Sequence, residues 1–183
     1  MARLADASNL PASAMTHDPV DIRFGNADDC ALAAHFLREL AAHDGEPGIC
    51  RMTEADVRHW GFGDDRRFEF LIAEIAGEPV GLALFYPIFS TWDALPGLFL
   101  NDLYVADAGR GKGVGRRLMA ELSALALARG CGRLEWQVLQ QAGAITFYEA
   151  MGARRVDEFL IYRLAGPALE RLAGTAPGIG AAT

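Results

Sequence analysis

The sequence predicts an α/β fold built on a mixed β-sheet, and three observations support this prediction. Strand-like and helix-like segments alternate along the chain without an internal repeat. Two apolar segments at 68–75 and 80–85 are separated by Ala-Gly-Glu-Pro, which suits a hairpin turn and therefore an antiparallel pair. A further strand at 98–105 leads through a glycine-rich loop into a helix. Because hairpin-joined strands precede this strand, loop and helix, we expect a mixed rather than a fully parallel sheet.

The N-terminal half of the predicted fold begins with a short strand and two helices. The strand lies at 20–24, where apolar and polar residues alternate. Asn26 and the acidic residues after it supply N-cap chemistry for the first helix. That helix is predicted to bury Leu32, Phe36, Leu37 and Leu40. Thr53 begins a second, short helix, which the glycines at 61 and 63 end.

The C-terminal half continues the alternation after the strand at 98–105. The helix that follows the glycine loop has apolar residues at helical spacing, namely Leu118, Leu122, Leu125 and Ala126. The remaining elements are predicted to be a strand at 131–138, a helix at 142–151, a strand at 158–164 and a short helix at 167–173. Gly152 is expected to end the helix that precedes it.

Length and composition favour a single domain. A chain of 183 residues, of which 51% are hydrophobic, is long enough for one buried core and short for two. We expect a folded body at 20–173, a mobile N-terminal segment at 1–19 and a mobile tail at 174–183, because both ends are rich in small residues without periodicity. The three cysteines form no CxxC pair, which favours a reducing compartment.

The charge balance restricts the class of partner. The chain has 17 Lys and Arg against 24 Asp and Glu, a net charge of −7, which repels nucleic acid and favours a cationic small molecule. The four histidines lack metal-ligand spacing, so no metal is expected. The segment 1–19 lacks the apolar run of a secretory signal, and no stretch of eighteen uninterrupted apolar residues occurs, which predicts a cytoplasmic protein that does not bind membranes.

The glycine loop after the strand at 98–105 is the strongest local motif. It reads Arg110-Gly111-Lys112-Gly113-Val114-Gly115, and Lys112 is the only lysine in the chain. Backbone N–H groups in such a loop, together with a helix N-terminus, can bind a phosphate. A Walker A loop requires Gly at 106 and Ser or Thr at 113, and a dinucleotide fingerprint requires Gly at 116; the chain has Ala, Gly and Arg there. A plain turn with a solvated basic surface remains the alternative for the loop alone.

Two motifs, which follow one another along the chain, indicate what the glycine loop binds. The pattern Arg-x-x-Gly-x-Gly at 110–115 resembles the pyrophosphate-binding loop of the GNAT acetyltransferases. Farther along, Phe-Tyr-Glu-Ala-Met-Gly-Ala at 147–153 resembles the FYxxxGA segment of the same superfamily. The resemblance implies the GNAT fold, a mixed central β-sheet flanked by helices on both faces, and acetyl-CoA as the co-substrate.

A third set of matches resembles the diamine acetyltransferase branch, which contains the spermidine/spermine and thialysine N-acetyltransferases. Segments at 52–57, 61–63 and 71–75 are similar to its LTExDL, GFG and LVAEV stretches, and those at 90–92 and 100–105 to its STW and LEDxYV segments. The matches extend from about 20 to about 173. The resemblance implies a homodimer that acetylates a polyamine, thialysine or another lysine-like amine.

The resemblance also implies a set of coenzyme contacts. The backbone of Leu103, Tyr104 and Val105 would bind the acetyl and pantetheine part. The pyrophosphate would lie on the loop formed by Arg110, Gly111, Lys112, Gly113, Val114 and Gly115. Gln141 stands where the superfamily usually has Asn. Tyr148 would also touch the coenzyme and would protonate the departing thiolate.

The match to the diamine branch is less complete for the residues expected to bind the amine. His43 and Asp44 fall where the branch has a Tyr-Glu pair facing the substrate, and Asn101 replaces the Glu that relays a proton from the amine. The proton must then leave through another carboxylate or through bulk water, and Asp102, on the same strand, and Asp44 are the candidate bases. Trp92 lies in a predicted loop, where its ring can hold an ammonium by cation–π attraction, although tryptophans more often pack in cores.

The loss of the carboxylate at Asn101 keeps other functions open. A regulatory module that binds acetyl-CoA without turnover is one alternative. An enzyme that acetylates protein N-termini or lysines is another. The amine itself, the pathway and whether a dimer is obligate are not determined by the sequence.

Overall fold

The computed structural model describes residues 19–139 and 145–176. The chain divides into two compact units, one ending at residue 143 and one beginning at residue 144. Most of the two predicted mobile ends, the first residues of the helix predicted at 142–151, and Gln141 lie outside the described residues. No helix in the described ranges combines the length and apolar character needed to cross a membrane.

The first unit contains five strands and three helices. The strands are β1 Val20–Phe24, β2 Glu69–Ile75, β3 Glu78–Ser90, β4 Leu95–Val105 and β5 Arg133–Trp136. The helices are α1 Cys30–His43, α2 Glu54–Phe62 and α3 Val114–Ala128. The second unit contains α4 Ile145–Glu149 and α5 Pro167–Ala173.

The sheet is mixed, as the sequence predicts. Its strand order is β1-β2-β3-β4-β5. The first four strands are antiparallel neighbours, whereas β5 is parallel to β4. The parallel pair follows from chain connectivity, because α3 lies between the two strands and returns the chain to the starting edge.

Helices cover both faces of this sheet. Successive side chains of β3 point to opposite faces. Leu82 and Leu84 belong to a core cluster with Phe36 and Leu37 of α1 and Val57 of α2. Gly81, which precedes Leu82, faces the opposite side of the sheet, and a Cβ added there would meet Val114 and Leu118 of α3 at 3.1 and 3.4 Å. The helices α1 and α2 therefore pack on one face and α3 on the other.

The predicted caps form at the starts of the first two helices. Asn26 and Asp29 make a capping box at the short 3₁₀ turn that leads into α1, and Thr53 and Asp56 make another at α2. Asp29 also binds Arg23 through two hydrogen bonds of 2.7 and 2.8 Å, which hold the pKa of Asp29 below its usual range. These contacts fix the entry of α1 against β1.

The hairpin of β3 and β4 is longer than predicted. The sequence places the end of the third strand at 85, but β3 continues through Pro87 to Ser90. Because β2 reaches only as far as the pair Glu69 and Phe85, the last part of β3 is an edge on that side. Proline has no N–H to donate and is tolerated at such an edge, so it does not end the strand.

The prediction of a strand at 158–164 is wrong. Residues 145–176 contain helix and irregular structure without a strand, and Leu160, Ile161 and Tyr162 are exposed. An apolar run becomes a strand only where a neighbouring strand accepts its backbone hydrogen bonds, and none is formed in this part of the described chain. The α4 helix ends as predicted: Gly152, at φ +87°, lies in the left-handed region, and its N–H donates to the Glu149 carbonyl at 2.9 Å.

Candidate active site

A β-bulge in β4 shapes the site. Leu100 is opposite Phe85 and Asp102 is opposite Leu84, so Asn101 is an extra residue with no partner on β3. The bulge changes the face that each following residue occupies. Leu100 is buried and shares a face with Phe85, whereas Asp102 points to the face that carries α1. Without the extra residue, Leu100 and Asp102 would lie on the same face.

One side of β4 is left open beyond the bulge. β5 pairs with β4 only over Gly97–Leu100. Within the described residues, the segment 101–105 has a partner strand on the β3 side alone. The open segment includes Leu103, Tyr104 and Val105, and the Tyr104 ring packs on Phe36 at 5.4 Å between centroids. An unpaired strand edge offers backbone hydrogen bonds to an extended, amide-bearing ligand.

The glycine loop follows this open segment and faces free space. Gly111 and Gly113 have φ of +72° and +81°, and a Cβ added at either would meet nothing within 4 Å. Gly113 is the N-cap of α3. The N–H groups of the first helical turn have no acceptors within the helix, and the helix dipole adds positive potential there. The loop therefore presents backbone donors where an anionic ligand can approach.

Packing behind the loop holds it in place. Gly109 is buried, and a Cβ there would contact Val105, Val80 and Val114 at 3.1 to 3.2 Å. The side chains of Lys112 and Arg116 are exposed on the open side. Arg117 is paired with Glu121 at 2.6 Å. Lys112 and Arg116 are therefore exposed cations beside the loop, and their charge suits an anionic ligand.

Arg110 is held by the protein itself. Its Nε donates to the Val105 carbonyl at 3.2 Å, and its Nη1 lies 2.8 Å from Oδ1 of Asp107. Its Nη2 lies 3.3 Å from Nδ1 of His43, the last residue of α1. The sequence analysis assigns Arg110 to the coenzyme and His43 to the amine, and the structure brings these two side chains together.

Asp102 is half-buried, and its surroundings shift the pKa of its carboxyl group. It accepts a hydrogen bond from Nδ2 of Asn101 at 2.7 Å. Burial raises the pKa of Asp102, the hydrogen bond from Asn101 opposes that rise, and the negative charge of Asp44 adds to it. Asp44 is the C-cap of α1. The predicted amine-side residues Asp44, Asn101 and Asp102 therefore form one acidic group at the bulge.

Tyr86 belongs to the same face and is a residue that sequence reasoning missed. It lies two residues beyond Leu84 on β3, and its ring stacks on Phe99 with centroids 5.3 Å apart. Burial raises the pKa of Tyr86, and the negative charge of Asp102 raises it further. Alternation along β3 gives the face of Tyr86, but only knowledge of the bulge puts Asp102 beside it.

The structure does not place Trp92 beside Asp44, Asn101 and Asp102. It lies in the turn between β3 and β4 with 86% of its surface exposed. β4 extends from Leu95 to Asp102 before the acidic group is reached, roughly 20 Å along an extended strand. Tyr148 lies in the second unit on α4, where it is half-buried and contacts the Phe147 ring at 5.0 Å.

An enzyme that moves an acetyl group to an amine needs a place for a phosphate-bearing carrier and a base for the amine. β4 and the loop after it offer an unpaired strand edge, the half-buried carboxylate of Asp102 and the N–H groups at the start of α3, an arrangement compatible with an N-acetyltransferase. The chain belongs to the acetyltransferase (GNAT) family, whose model matches residues 34–153. This family uses acetyl-CoA as its co-substrate.

Similar proteins agree with this class. The chain is 33% identical over 165 residues to a thialysine N-epsilon-acetyltransferase from Sus scrofa, covering 84% of this chain and 96% of the relative. It is 31% identical over 144 residues to spermidine/spermine N(1)-acetyltransferase-like protein 1 from Homo sapiens, covering 74% of this chain and 21% of the relative. A solved integron cassette protein from V. cholerae is 26% identical, with a TM-score of 0.70 over 84% of this chain and 97% of that one.

Proposed function

We propose that the chain transfers an acetyl group from acetyl-CoA directly to the amino group of a small cationic amine, through a catalytic domain at 20–173. The observation that carries this proposal is the half-buried Asp102 beside Asn101, at the point where β4 loses its β5 partner. A base for the amine and an open edge for the acyl carrier are thereby adjacent on one strand.

The coenzyme side of the proposal uses backbone groups. The open edge of β4 at Leu103–Val105 would bind the pantetheine amides, and the loop at 111–115 would bind the pyrophosphate. Support comes from the free space around Gly111 and Gly113 and from the first-turn donors of α3. The pantetheine arm would present its acetyl group to the amine.

Asp102 is the proposed base. A primary alkylammonium has a pKa of about 10.4, so it must lose a proton before it can attack a thioester. A carboxylate whose pKa is raised accepts that proton more readily than an ordinary one, and burial raises the pKa of Asp102. Asn101 orients the carboxylate through its hydrogen bond. Asn cannot serve as the base because its amide has no basic group near neutral pH.

The proposed substrate is a lysine-like or other amino-acid-like amine in preference to spermidine. Asp44 and Asp102 attract the cationic end, and the rings of Tyr86 and Phe99 form an apolar wall on the same face. The chain has Asn101 where the diamine branch has a Glu, so the proposed site carries one negative charge fewer for a polyamine to bind. An amide can donate to a substrate carboxylate, which a Glu cannot do. The similarity to a thialysine N-epsilon-acetyltransferase over 96% of its length supports this choice.

Tyr148 is proposed, on the family resemblance, to protonate the thiolate as it leaves. Tyr148→Phe keeps the ring and removes the proton, so turnover should fall roughly 10²-fold with coenzyme affinity unchanged. Stopped-flow measurement of the chemical step checks this. Normal turnover under conditions where chemistry limits the rate would assign Tyr148 a packing role.

The proposal is tested by measuring free thiol release from acetyl-CoA against spermidine, spermine, thialysine, ornithine, free amino acids and peptides. We expect saturable release with small diamines or lysine-like amines. A module that only binds acetyl-CoA would show affinity for it and no release with any amine. An enzyme for protein N-termini or lysines would release thiol with peptides alone.

A further inference from the structure

The guanidinium of Arg110 contacts groups from three parts of the chain. Val105 is the last residue of β4, Asp107 lies in the 3₁₀ turn before the glycine loop, and His43 is the last residue of α1. All three nitrogens of Arg110 are engaged, at 2.8 to 3.3 Å. An arginine held in this way joins the end of α1 to the start of the phosphate-binding loop.

The neighbouring groups show that this contact lies in a defined cluster. Burial raises the pKa of Tyr104, and among the charges that act on it Glu39 raises it, Arg110 lowers it and Asp107 raises it. Glu39 lies one turn before His43 on α1. Tyr104 is therefore close to the same charged side chains that surround the Arg110 contact.

We propose that His43 is a positioning residue for coenzyme binding: its Nδ1 accepts a hydrogen bond from Arg110 and so fixes the start of the loop that binds the pyrophosphate. This inference builds on the proposed function and changes two assignments made from the sequence, which placed His43 on the amine and Arg110 on the pyrophosphate. The phosphate charge is then met by Lys112, Arg116 and the backbone N–H groups rather than by Arg110.

The direction of His43 agrees with this role. Adjacent residues of a helix point about 100° apart, so His43 and Asp44 face different neighbours. His43 contacts Arg110, whereas the charge of Asp44 acts on Asp102. The end of α1 thus serves the coenzyme with one residue and the amine with the next.

The hydrogen bond between Arg110 and His43 determines which variants test the proposal. Arginine is only a donor, so Nδ1 of His43 must be the acceptor. The substitution His43→Leu removes this acceptor, whereas the side-chain oxygen in His43→Asn occupies nearly the position of Nδ1 and can still accept. His35→Leu is the matched control, because His35 is an exposed histidine on the same helix.

Calorimetry with acetyl-CoA is the test, using folded wild type and the three variants. Because Arg110 is partly exposed, the loss expected for His43→Leu is modest, about three- to tenfold in affinity. His43→Asn should bind within about twofold of wild type, and His35→Leu should be unchanged. In steady-state assays the KM for acetyl-CoA should rise for His43→Leu, while the KM for the amine and kcat stay the same.

Three outcomes would overturn the inference. Equal weakening in His43→Leu and His43→Asn would show that the acceptor atom does not matter. A raised KM for the amine with unchanged acetyl-CoA affinity would return His43 to the substrate. If His43→Leu weakens binding as much in an Arg110→Gln background as in wild type, the two side chains are not coupled. Wild type that binds no acetyl-CoA at all would instead refute the proposed function itself.

Discussion

At the scale of single residues, the neighbour of Asp102 decides how that carboxylate behaves. Asn101 donates to it at 2.7 Å without adding a charge, while Asp44 acts on it through its negative charge. A Glu at position 101 would add a second carboxylate beside Asp102. We propose that this departure from the family pattern changes both the charge of the amine site and the identity of its base.

Asn101→Glu is predicted to move specificity toward spermidine. The added negative charge favours a multiply charged polyamine and repels a substrate carboxylate, so the ratio of kcat/KM for spermidine to that for thialysine should rise roughly threefold to tenfold. Steady-state kinetics with both amines checks this. A ratio that stays flat or falls would show that Asn101 does not contact the substrate.

Asp102→Asn is predicted to lower kcat/KM for the amine and to make the fold slightly more stable. The folded pKa of Asp102 lies above its unfolded value, so the stability linked to its protonated form is present at low pH and is lost as pH rises through the folded pKa. At neutral pH the ionised carboxylate is therefore unfavourable, and a neutral amide should raise the melting temperature. Calorimetric melting at pH 7 measures this.

Asp102→Asn is also predicted to change the pH dependence of the activity. As the base, Asp102 must be ionised, so wild-type activity should fall as the pH drops through its raised pKa. Asp102→Asn should lose this acid limb together with most of its activity. A variant with normal activity and an unchanged acid limb would show that another group takes the proton.

At the scale of elements, β4 shows what a sequence pattern can and cannot predict. The strand was predicted within a few residues of its bounds, and the glycine loop with a helix after it was also predicted, because periodicity and glycine positions are local signals. The bulge at Asn101 was not predicted, since it depends on how β4 pairs with β3. The contact of Arg110 with His43 was also missed, because the two residues are 67 positions apart.

The strand predicted at 158–164 failed for a related reason. Its apolar pattern is a local signal, but a strand exists only when a partner accepts its backbone hydrogen bonds. In contrast, α5 begins with Pro167 and forms as predicted, since a helix satisfies most of its backbone hydrogen bonds within itself. The proposed site follows the same division: most of its residues were named from local patterns, whereas Tyr86 and the contacts between the residues were not.

Gly113→Val is predicted to block acetyl-CoA binding. The φ of +81° at Gly113 strains a β-branched residue by about 1–2 kcal/mol, and the new side chain would enter the free space that the pyrophosphate is proposed to use. Gly130→Val is the control. It has a φ of +70° and free space around it, but it lies beyond the other end of α3.

Both variants should therefore lose similar amounts of stability, and only Gly113→Val should lose coenzyme affinity. Thermal melting and calorimetry with acetyl-CoA separate the two effects. Unchanged affinity in folded Gly113→Val would remove the loop from the coenzyme site.

At the scale of the whole molecule, the strand order of the sheet determines where the proposed site lies. Four antiparallel strands bring β4 beside β3, and the parallel β5 covers only the first part of β4. The net charge of −7 extends the attraction for cations beyond the acidic group itself.

A homodimer is predicted from the family resemblance. Light scattering at micromolar concentration should give twice the mass of the 19.7 kDa chain. The mass of one chain under these conditions would contradict the dimer and leave the assignment of the site unaffected.

The central claim is that the chain moves acetyl from acetyl-CoA to a lysine-like amine. Its most direct test is a competition in which acetyl-labelled acetyl-CoA is mixed with the protein and equal amounts of thialysine, spermidine and a lysine-containing peptide. Chromatography and mass spectrometry then locate the label. The account predicts label on the amino group of thialysine above the other two, with matching release of thiol, and far less in Asp102→Asn. Label on the peptide alone, or bound acetyl-CoA with no labelled amine, would contradict it.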